Sequence, residues 1–148
     1  MQKILIIEDD VFLGDVLSQK LTGEGFKVVL SRDGREGFDQ IKVFQPDLVL
    51  LDIILPNMNG YEILEAKQKD SSIANIPVVI VSNSGQPVEI SRALALGVKD
   101  YLVKAQFDPE EVLVKVRAQL QKKEESPTST SSIKSLEGEI NQKENLIN

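Results

Sequence analysis

Short apolar runs of strand length recur along the chain, and stretches with helical spacing separate them. In the helical stretches, apolar residues lie three or four positions apart, as at Leu13, Leu17 and Leu21, which is the repeat of one helix face. Two further stretches show this spacing: Phe38, Ile41 and Phe44, and Val112, Val116 and Leu120. The apolar runs predict these strands: Lys3–Ile7, Lys27–Leu30, Leu48–Leu51, Val78–Val81 and Tyr101–Val103.

Residues that begin and end helices support this division. Asp33 and Asp108 stand at expected N-cap positions, and Pro109 follows the second at a first helical position. Gly97 is expected to end the helix before the last strand. Strands apolar on both faces that alternate with helices predict a parallel sheet with helices on each side. With right-handed crossovers, the expected fold is α/β: a flavodoxin-like (βα)5 three-layer sandwich with strand order 2-1-3-4-5.

Size and composition narrow the classes of function. The 148 residues suit one domain with at most a tail, and the net charge of −6 argues against a nucleic-acid partner. The chain has no cysteine and no histidine, which excludes disulfides, thiolate metal sites and a catalytic imidazole. No apolar stretch approaches the about 20 residues of a membrane span. The first strand starts too early to leave room for a signal peptide, so we expect no membrane insertion and a cytoplasmic protein.

The composition changes after Gln121. Residues 126–132 are almost all serine and threonine, which predicts a flexible linker. We therefore divide the chain into a domain, 1–122, and a Ser/Thr-rich linker with a short tail, 123–148. Apolar tail residues follow an approximate heptad: Ile133, Leu136, Ile140 and Ile147. Two interpretations stay open, a mostly disordered tail and a short amphipathic helix that docks a partner or dimerises.

Polar side chains follow four of the predicted strands: Glu8, Asp9, Asp10, Asp52, Ser82 and Lys104. Taken singly, each has an ordinary explanation as a turn or surface residue, but the carboxyl ends of parallel strands share one sheet edge. Carboxylates gathered there repel unless a cation is present, and Mg²⁺ prefers such oxygens and bridges to phosphate. Two roles are open for Asp52, metal ligand and nucleophile that becomes an aspartyl phosphate. Lys104 and Ser82 supply an ammonium and a hydroxyl for phosphoryl oxygens.

The order of these residues resembles the receiver domain of bacterial two-component response regulators, in particular the stand-alone, chemotaxis-regulator-like kind. In that family an acidic pair follows the first strand, a phospho-accepting aspartate the third, and a Thr or Ser the fourth. A lysine follows the fifth strand, with an aromatic residue three positions before it. The matching residues are Glu8, Asp9, Asp52, Ser82, Lys104 and Tyr101, with the turn Leu55-Pro56-x-x-x-Gly60. The resemblance covers residues 1 to about 122.

The resemblance implies a set of ligands for Mg²⁺, with Mn²⁺ as an alternative ion. Asp9 and Asp52 would bind the ion directly, Glu8 through water, and the backbone carbonyl of Ile54 would complete the protein ligands. It also implies that Asp52 is the phosphoacceptor. Asp10 matches an adjoining position that varies in the family, so it ranks below the others.

The resemblance also implies partners. A sensor histidine kinase or a histidine phosphotransfer protein would supply the phosphoryl group. Ser82, Lys104 and Tyr101 would transmit phosphorylation to a protein-binding surface on the fourth helix, fifth strand and fifth helix, roughly 88–119. We expect a monomer or weak dimer that turns over no separate substrate.

Two positions depart from the family's pattern. Ala105 stands where proline is usual after the lysine, often in a cis bond. A cis bond to alanine costs about 2.5–4 kcal/mol, so we expect either a trans bond with a differently shaped loop or stored strain. Asn83 stands where Ala or Gly is common. Its amide is expected to narrow the approach of a hydrolytic water and to slow the loss of phosphate.

The same residues also bear on other classes of function. Two alternatives stay open. One is a phosphorylation-independent interaction module in which the acidic cluster is vestigial, and the other is the receiver fragment of a larger regulator. A haloacid-dehalogenase-like phosphatase needs Asp-x-Asp after the first strand, which Glu8-Asp9-Asp10 lacks. A flavodoxin needs a Ser/Thr/Gly-rich phosphate loop there, and the acids would repel the phosphate instead. No helix-turn-helix pattern or basic stretch follows Gln121, so we expect no DNA-binding output in these residues.

Overall fold

The computed structural model describes residues 1–106 and 108–125, in which strands and helices alternate. The strands are β1 (Lys3–Ile7), β2 (Lys27–Ser31), β3 (Leu48–Leu51), β4 (Val78–Ser82) and β5 (Asp100–Val103). The helices are α1 (Val11–Gly23), α2 (Gly34–Phe44), α3 (Gly60–Gln68), α4 (Pro87–Ala95) and α5 (Pro109–Glu125). The predicted linker from residue 126 onward and the apolar tail residues 133–147 lie outside the described residues.

The strands form one parallel sheet in the order β2-β1-β3-β4-β5. This confirms the predicted flavodoxin-like α/β fold and its strand order. The predicted strand bounds differ from the observed ones by at most one residue, since β2 and β4 each end one residue later and β5 begins one residue earlier. In the ladder between β1 and β3, Ile7 lies beside Leu51. The residues that follow them, Glu8 and Asp52, therefore leave the sheet side by side.

Both faces of the sheet are buried, because alternate strand residues enter two separate cores. One core packs against α1 and α5, the other against α2, α3 and α4. The predicted helical stripes supply fully buried residues to these cores, among them Leu17, Leu21, Ile41, Val112 and Val116. Full burial of such a side chain contributes about 1.5–3 kcal/mol, so the sheet is a firm base for the groups at its edge. None of the helices in the described part has the length and apolar character that a membrane span requires.

The predicted helix boundaries are also observed. The side chain of Asp33 accepts from the backbone N–H groups of Arg35 and Glu36 at the start of α2, at 2.8 and 3.0 Å. Asp108 accepts from the N–H of Glu111 at 3.0 Å, at the start of α5. Gly97 follows α4 with φ of +90°, the left-handed conformation that favours glycine after a helix.

Candidate functional site

Three acids meet at the carboxyl edge of the sheet, held by its backbone hydrogen bonds. The N–H of Glu8 donates to the carbonyl of Ser31 at 2.9 Å, and the N–H of Asp52 donates to the carbonyl of Ile7 at 3.0 Å. Glu8 and Asp52 are only 2% and 5% exposed, whereas Asp9 is exposed. One carboxylate oxygen from each of these acids lies within 4.8 Å of the other two. The structure thus brings together the predicted acidic cluster.

Lys104 reaches the same cluster from the end of β5. Its Nζ donates to Glu8 Oε1 at 2.5 Å and to Asp52 Oδ2 at 2.9 Å. The structure has no cis peptide bond within residues 1–106 and 108–125, so the bond from Lys104 to Ala105 is trans. The chain continues from there into a 3₁₀ turn over Lys104–Gln106, with Ala105 exposed. Of the two expectations for Ala105, the trans one therefore holds, and this loop still allows the ammonium to reach the acids.

The charges in this cluster do not balance. The pKa of Glu8 is raised to about 8, chiefly by burial and then by the neighbouring Asp52, while Lys104 acts in the opposite direction. Burial opposes the charge of Lys104, but its hydrogen bonds to Glu8 and Asp52 outweigh that effect and the pKa of Lys104 is raised. Two carboxylates about 4 Å apart repel by about 4 kcal/mol at an effective dielectric constant of about 20. One ammonium cannot neutralise the acids, and a further cation would stabilise them.

The donor set suits Mg²⁺ in chemistry and in size. Its bonds of about 2.1 Å put opposite oxygens of an octahedron about 4.2 Å apart, so acids within 4.8 Å need to move only slightly. Ile54, the predicted carbonyl ligand, lies in the loop after β3 with its side chain 75% exposed. Asp10 has another task, since its carboxylate accepts from the N–H of Leu13 at 2.9 Å and caps α1. The carboxylates available to a cation are therefore the other three acids.

Ser82 and Tyr101 form a second group beside the acids. Ser82, 3% exposed, accepts through Oγ from the N–H of Ser84 at 3.2 Å, and its own O–H stays available as a donor. Tyr101 donates from its hydroxyl to the carbonyl of Ser84 at 2.8 Å, and its ring packs against the core of α2, α3 and α4. Asn83 is exposed in the same loop. In the described part of the chain, neither Ser82 nor Tyr101 is hydrogen-bonded to the acids.

The turn after β3 holds α3 close against the segment that carries Asp52. Asp52 Oδ1 accepts from the N–H of Ile53 at 2.7 Å, and the N–H of Gly60 donates to the carbonyl of Ile53 at 2.7 Å. A Cβ at position 60 would lie 2.6 Å from the carbonyl oxygen of Asp52 and 2.8 Å from Cα of Ile53. Only glycine permits this approach, which gives the Leu55-Pro56-x-x-x-Gly60 turn its structural meaning.

The sequence did not reveal a contact between α3 and α4 next to the site. Tyr61 hydrogen-bonds through its hydroxyl to the carboxylate of Glu89, and the guanidinium of Arg92 lies 3.8 Å from the centre of the Tyr61 ring. Burial, followed by the bond to Glu89, raises the pKa of Tyr61 to about 12. Together with Ser82, the tyrosine and Glu89 line a groove of about 380 Å³. The spacing of Glu89 and Arg92 indicates only a shared helix face, so no sequence signal identified their partner.

Comparison with known proteins points to one family. A family model for the response regulator receiver domain matches residues 4–117. The DNA-binding response regulator MtrA of Mycobacterium tuberculosis is 34% identical over 139 residues, which are 94% of this chain and 59% of that protein. The DNA-binding regulator RpaA of Synechocystis is 36% identical over 127 residues, 86% of this chain and 52% of that protein. A CheY-like receiver domain protein from Methanospirillum hungatei superposes with a TM-score of 0.78 at 28% identity, covering 85% of this chain and 98% of its own.

The sheet order and the acidic edge define an α/β protein of the CheY-like class. The chain belongs to the response regulator receiver domain family of two-component systems. Receiver domains are signalling modules, and phosphorylation and Mg²⁺ binding at an acidic pocket are general features of the family. The chain spans about 60% of the length of the first curated relatives it matches.

Proposed function

We propose that the chain accepts a phosphoryl group on Asp52 in a Mg²⁺-dependent reaction and thereby switches a protein-binding surface. The supporting observation is the buried carboxylate of Asp52, which accepts from Lys104 and lies beside Glu8 and Asp9. The 148 residues contain no histidine, so the phosphohistidine donor lies outside them. That donor is a sensor histidine kinase or a histidine phosphotransfer protein.

In the proposed transfer, an oxygen of Asp52 bonds to phosphorus while the bond from phosphorus to the donor nitrogen breaks. The electron pair of that bond stays on the donor imidazole. The ammonium of Lys104, 2.9 Å from Asp52 Oδ2, is placed to neutralise charge on the transferred oxygens. When bound, Mg²⁺ supplies further charge neutralisation there. Asp9 and Asp52 would hold it directly, Glu8 would hold it through water, and the Ile54 carbonyl would complete the protein ligands.

Ser82 and Tyr101 carry the proposed switch. The phosphate adds a charge of about −1.5 to −2, and the free O–H of Ser82 turns toward it as a donor. The backbone of Ser84 is hydrogen-bonded to the side chains of both Ser82 and Tyr101. Movement of Ser82 therefore also shifts the Ser84 carbonyl that accepts from Tyr101. The output is a change in population between two forms of the α4, β5 and α5 surface. Val88 and Leu94 on α4, 73% and 50% exposed, give that surface apolar area for a protein partner.

Labelling with a small phosphodonor tests the proposal. Acetyl phosphate and Mg²⁺ should add the mass of one phosphoryl group, and Asp52→Asn should abolish the addition. Asp10→Asn is the matched control, because this neighbouring acid caps α1 and its replacement should leave labelling intact. Labelling that persists in Asp52→Asn, or that EDTA does not reduce, would overturn the assignment. A chain that is never labelled would be the phosphorylation-independent interaction module instead.

We further propose a stand-alone cytoplasmic receiver that turns over no separate substrate, binds no nucleic acid and acts by protein contact. A second candidate is the receiver part of a longer DNA-binding regulator. It is favoured by the relatives named as DNA-binding regulators, of which the chain spans about 60%. Intact mass spectrometry of the protein captured from its source cells separates the two. A mass that matches 148 residues supports the stand-alone receiver, and a mass larger by a whole domain supports the longer regulator.

A further inference from the structure

A pocket of about 160 Å³ lies at the opposite edge of the sheet from Asp52. It is formed by the end of α3, the start of β4 and the turn before β5. Its lining includes two lysines, Lys67 and Lys99, and two carboxamides, Gln68 and Asn75, but no carboxylate. The pocket therefore presents hydrogen-bond donors and positive charge without a counter-charge of its own.

Lys67 is unusual because its ammonium is buried without an acid. The residue is 6% exposed, and its Nζ donates to the carbonyl of Ala74 at 2.8 Å. An ammonium has three N–H donors, and within residues 1–106 and 108–125 neither Lys67 nor Lys99 forms a salt bridge. Asp70, the acid next along the chain, accepts instead from the N–H and hydroxyl of Ser72.

The electrostatics of the pocket indicate that it lacks a negative charge. Burial, with repulsion from Lys99 as the second cause, lowers the pKa of Lys67 to about 8. An ion removed from water without a partner costs several kcal/mol. An anion placed between the two ammonium groups removes both penalties at once, because it pairs the buried charge and separates the like charges.

The walls of the pocket are already in place. Gln68 donates through Nε2 to the carbonyl of Leu96 at 2.8 Å, which ties the end of α3 to the turn after α4. Gly97 makes that turn with a positive φ of 90°. The N–H of Lys99 donates to the carbonyl of Val78 at 2.8 Å, so the second lysine is anchored to the sheet. The backbone segments that carry the two lysines are therefore fixed before a ligand binds.

We propose that this pocket binds a small oxyanion, a phosphate or carboxylate group, with Lys67 as its buried cation and Lys99 at its mouth. A volume of about 160 Å³ is below the about 300–1,000 Å³ of sites for drug-sized molecules. The occupant is thus a free small anion or the anionic end group of a larger one. Bound there, it links α3 to the turn between α4 and β5.

Titration with inorganic phosphate, in the full chain without Mg²⁺ and at constant ionic strength, tests the proposal. Amide NMR signals of Ala74, Asn75 and Gly97 should shift and saturate. Lys67→Met should weaken the affinity by about tenfold or more, because a buried charge-assisted hydrogen bond is lost. Lys99→Gln should weaken it by about two- to fivefold, as expected for an exposed charge. Lys69→Gln is the matched control, since this exposed lysine lies on the same segment outside the pocket lining.

A second titration with acetate distinguishes the two sources of the anion. Saturable shifts with both anions assign a general oxyanion site, and shifts with phosphate alone assign a phosphate site. Shifts that rise linearly without saturation overturn the proposal, as does equal affinity in Lys99→Gln and the parent chain. Shifts confined to the edge that carries Asp52 also overturn it. Lys99 is exposed, so Lys99→Gln keeps the fold and the test stands even where Lys67→Met unfolds.

Discussion

Replacement of Lys67 by methionine should change how the stability of the fold depends on pH. In the folded chain, burial and the nearby Lys99 lower the pKa of Lys67 from the ordinary value of 10.5 to about 8. Below pH 8 the lysine is charged in both states, and the folded state carries the full penalty of burying it. Between pH 8 and 10.5 the unfolded chain binds more protons, so the free energy of unfolding rises with pH. Lys67→Met lacks this contribution.

The structure sets the size of the effect. Each tenfold change in proton concentration is worth about 1.4 kcal/mol over the interval between the two pKa values, which gives about 3 kcal/mol in all. The parent chain should therefore gain about 3 kcal/mol relative to Lys67→Met between pH 7.5 and 10.5. Taking the difference between two chains cancels the titration of the other lysines and tyrosines. Lys99→Gln should show a smaller rise, because it removes the repulsion that helps to lower the pKa of Lys67.

Urea unfolding followed by circular dichroism, in buffers free of phosphate and carboxylate, measures this difference. The chain has no cysteine, so alkaline pH brings no thiol chemistry into the measurement. Lys69→Met serves as control, since the neighbouring lysine is exposed and its replacement should give a difference that is flat with pH. A difference that is also flat for Lys67→Met would refute the reasoning, because Lys67 would then be as well solvated when folded as when unfolded.

Further changes test the site and the helices. Gly60→Ala places a Cβ 2.6 Å from the carbonyl oxygen of Asp52 and should lower the free energy of unfolding by about 1–3 kcal/mol; an unchanged urea midpoint would contradict the close approach. Asp108→Ala removes the cap of α5 and should cost about 0.5–2 kcal/mol, whereas Asp108→Asn should retain most of it. Lys104→Ala should permit labelling by acetyl phosphate but uncouple it from partner binding, and a normal partner response would count against its role. Asn83→Ala should speed the loss of phosphate in intact mass spectra, and an unchanged rate would disprove that idea.

The fold was accessible from the sequence because local signals and topology rules agreed. Apolar runs gave the strands to within one residue, and Asp33, Asp108 and Gly97 marked helix ends that the structure shows. Strand order followed from right-handed crossovers, which leave few arrangements for five parallel strands. The meeting of Glu8, Asp9 and Asp52 then needed no further information, since parallel strands end at one edge.

Other features depend on contacts that spacing does not encode. The bond from the Tyr101 hydroxyl to the carbonyl of Ser84 depends on the path of the loop after β4. The sequence does hint that Lys67 is buried. This lysine lies three and four positions after the buried Leu64 and Ile63, so it falls on the apolar face of α3. A lysine at such a position is usually assumed to extend its ammonium to water. Only the structure shows that the ammonium stays buried and donates a hydrogen bond to the carbonyl of Ala74.

The pairing of Ile7 with Leu51 has a consequence for a chain whose strands pair in the wrong register. Side chains alternate between the two sides of a strand, so a slip of one residue between β1 and β3 would turn one of the two acids that follow away from the other. Such a chain would still be compact, yet it would offer no paired carboxylates to an incoming donor. Under the proposed function, a copy with this register would accept no phosphoryl group and would therefore send no signal.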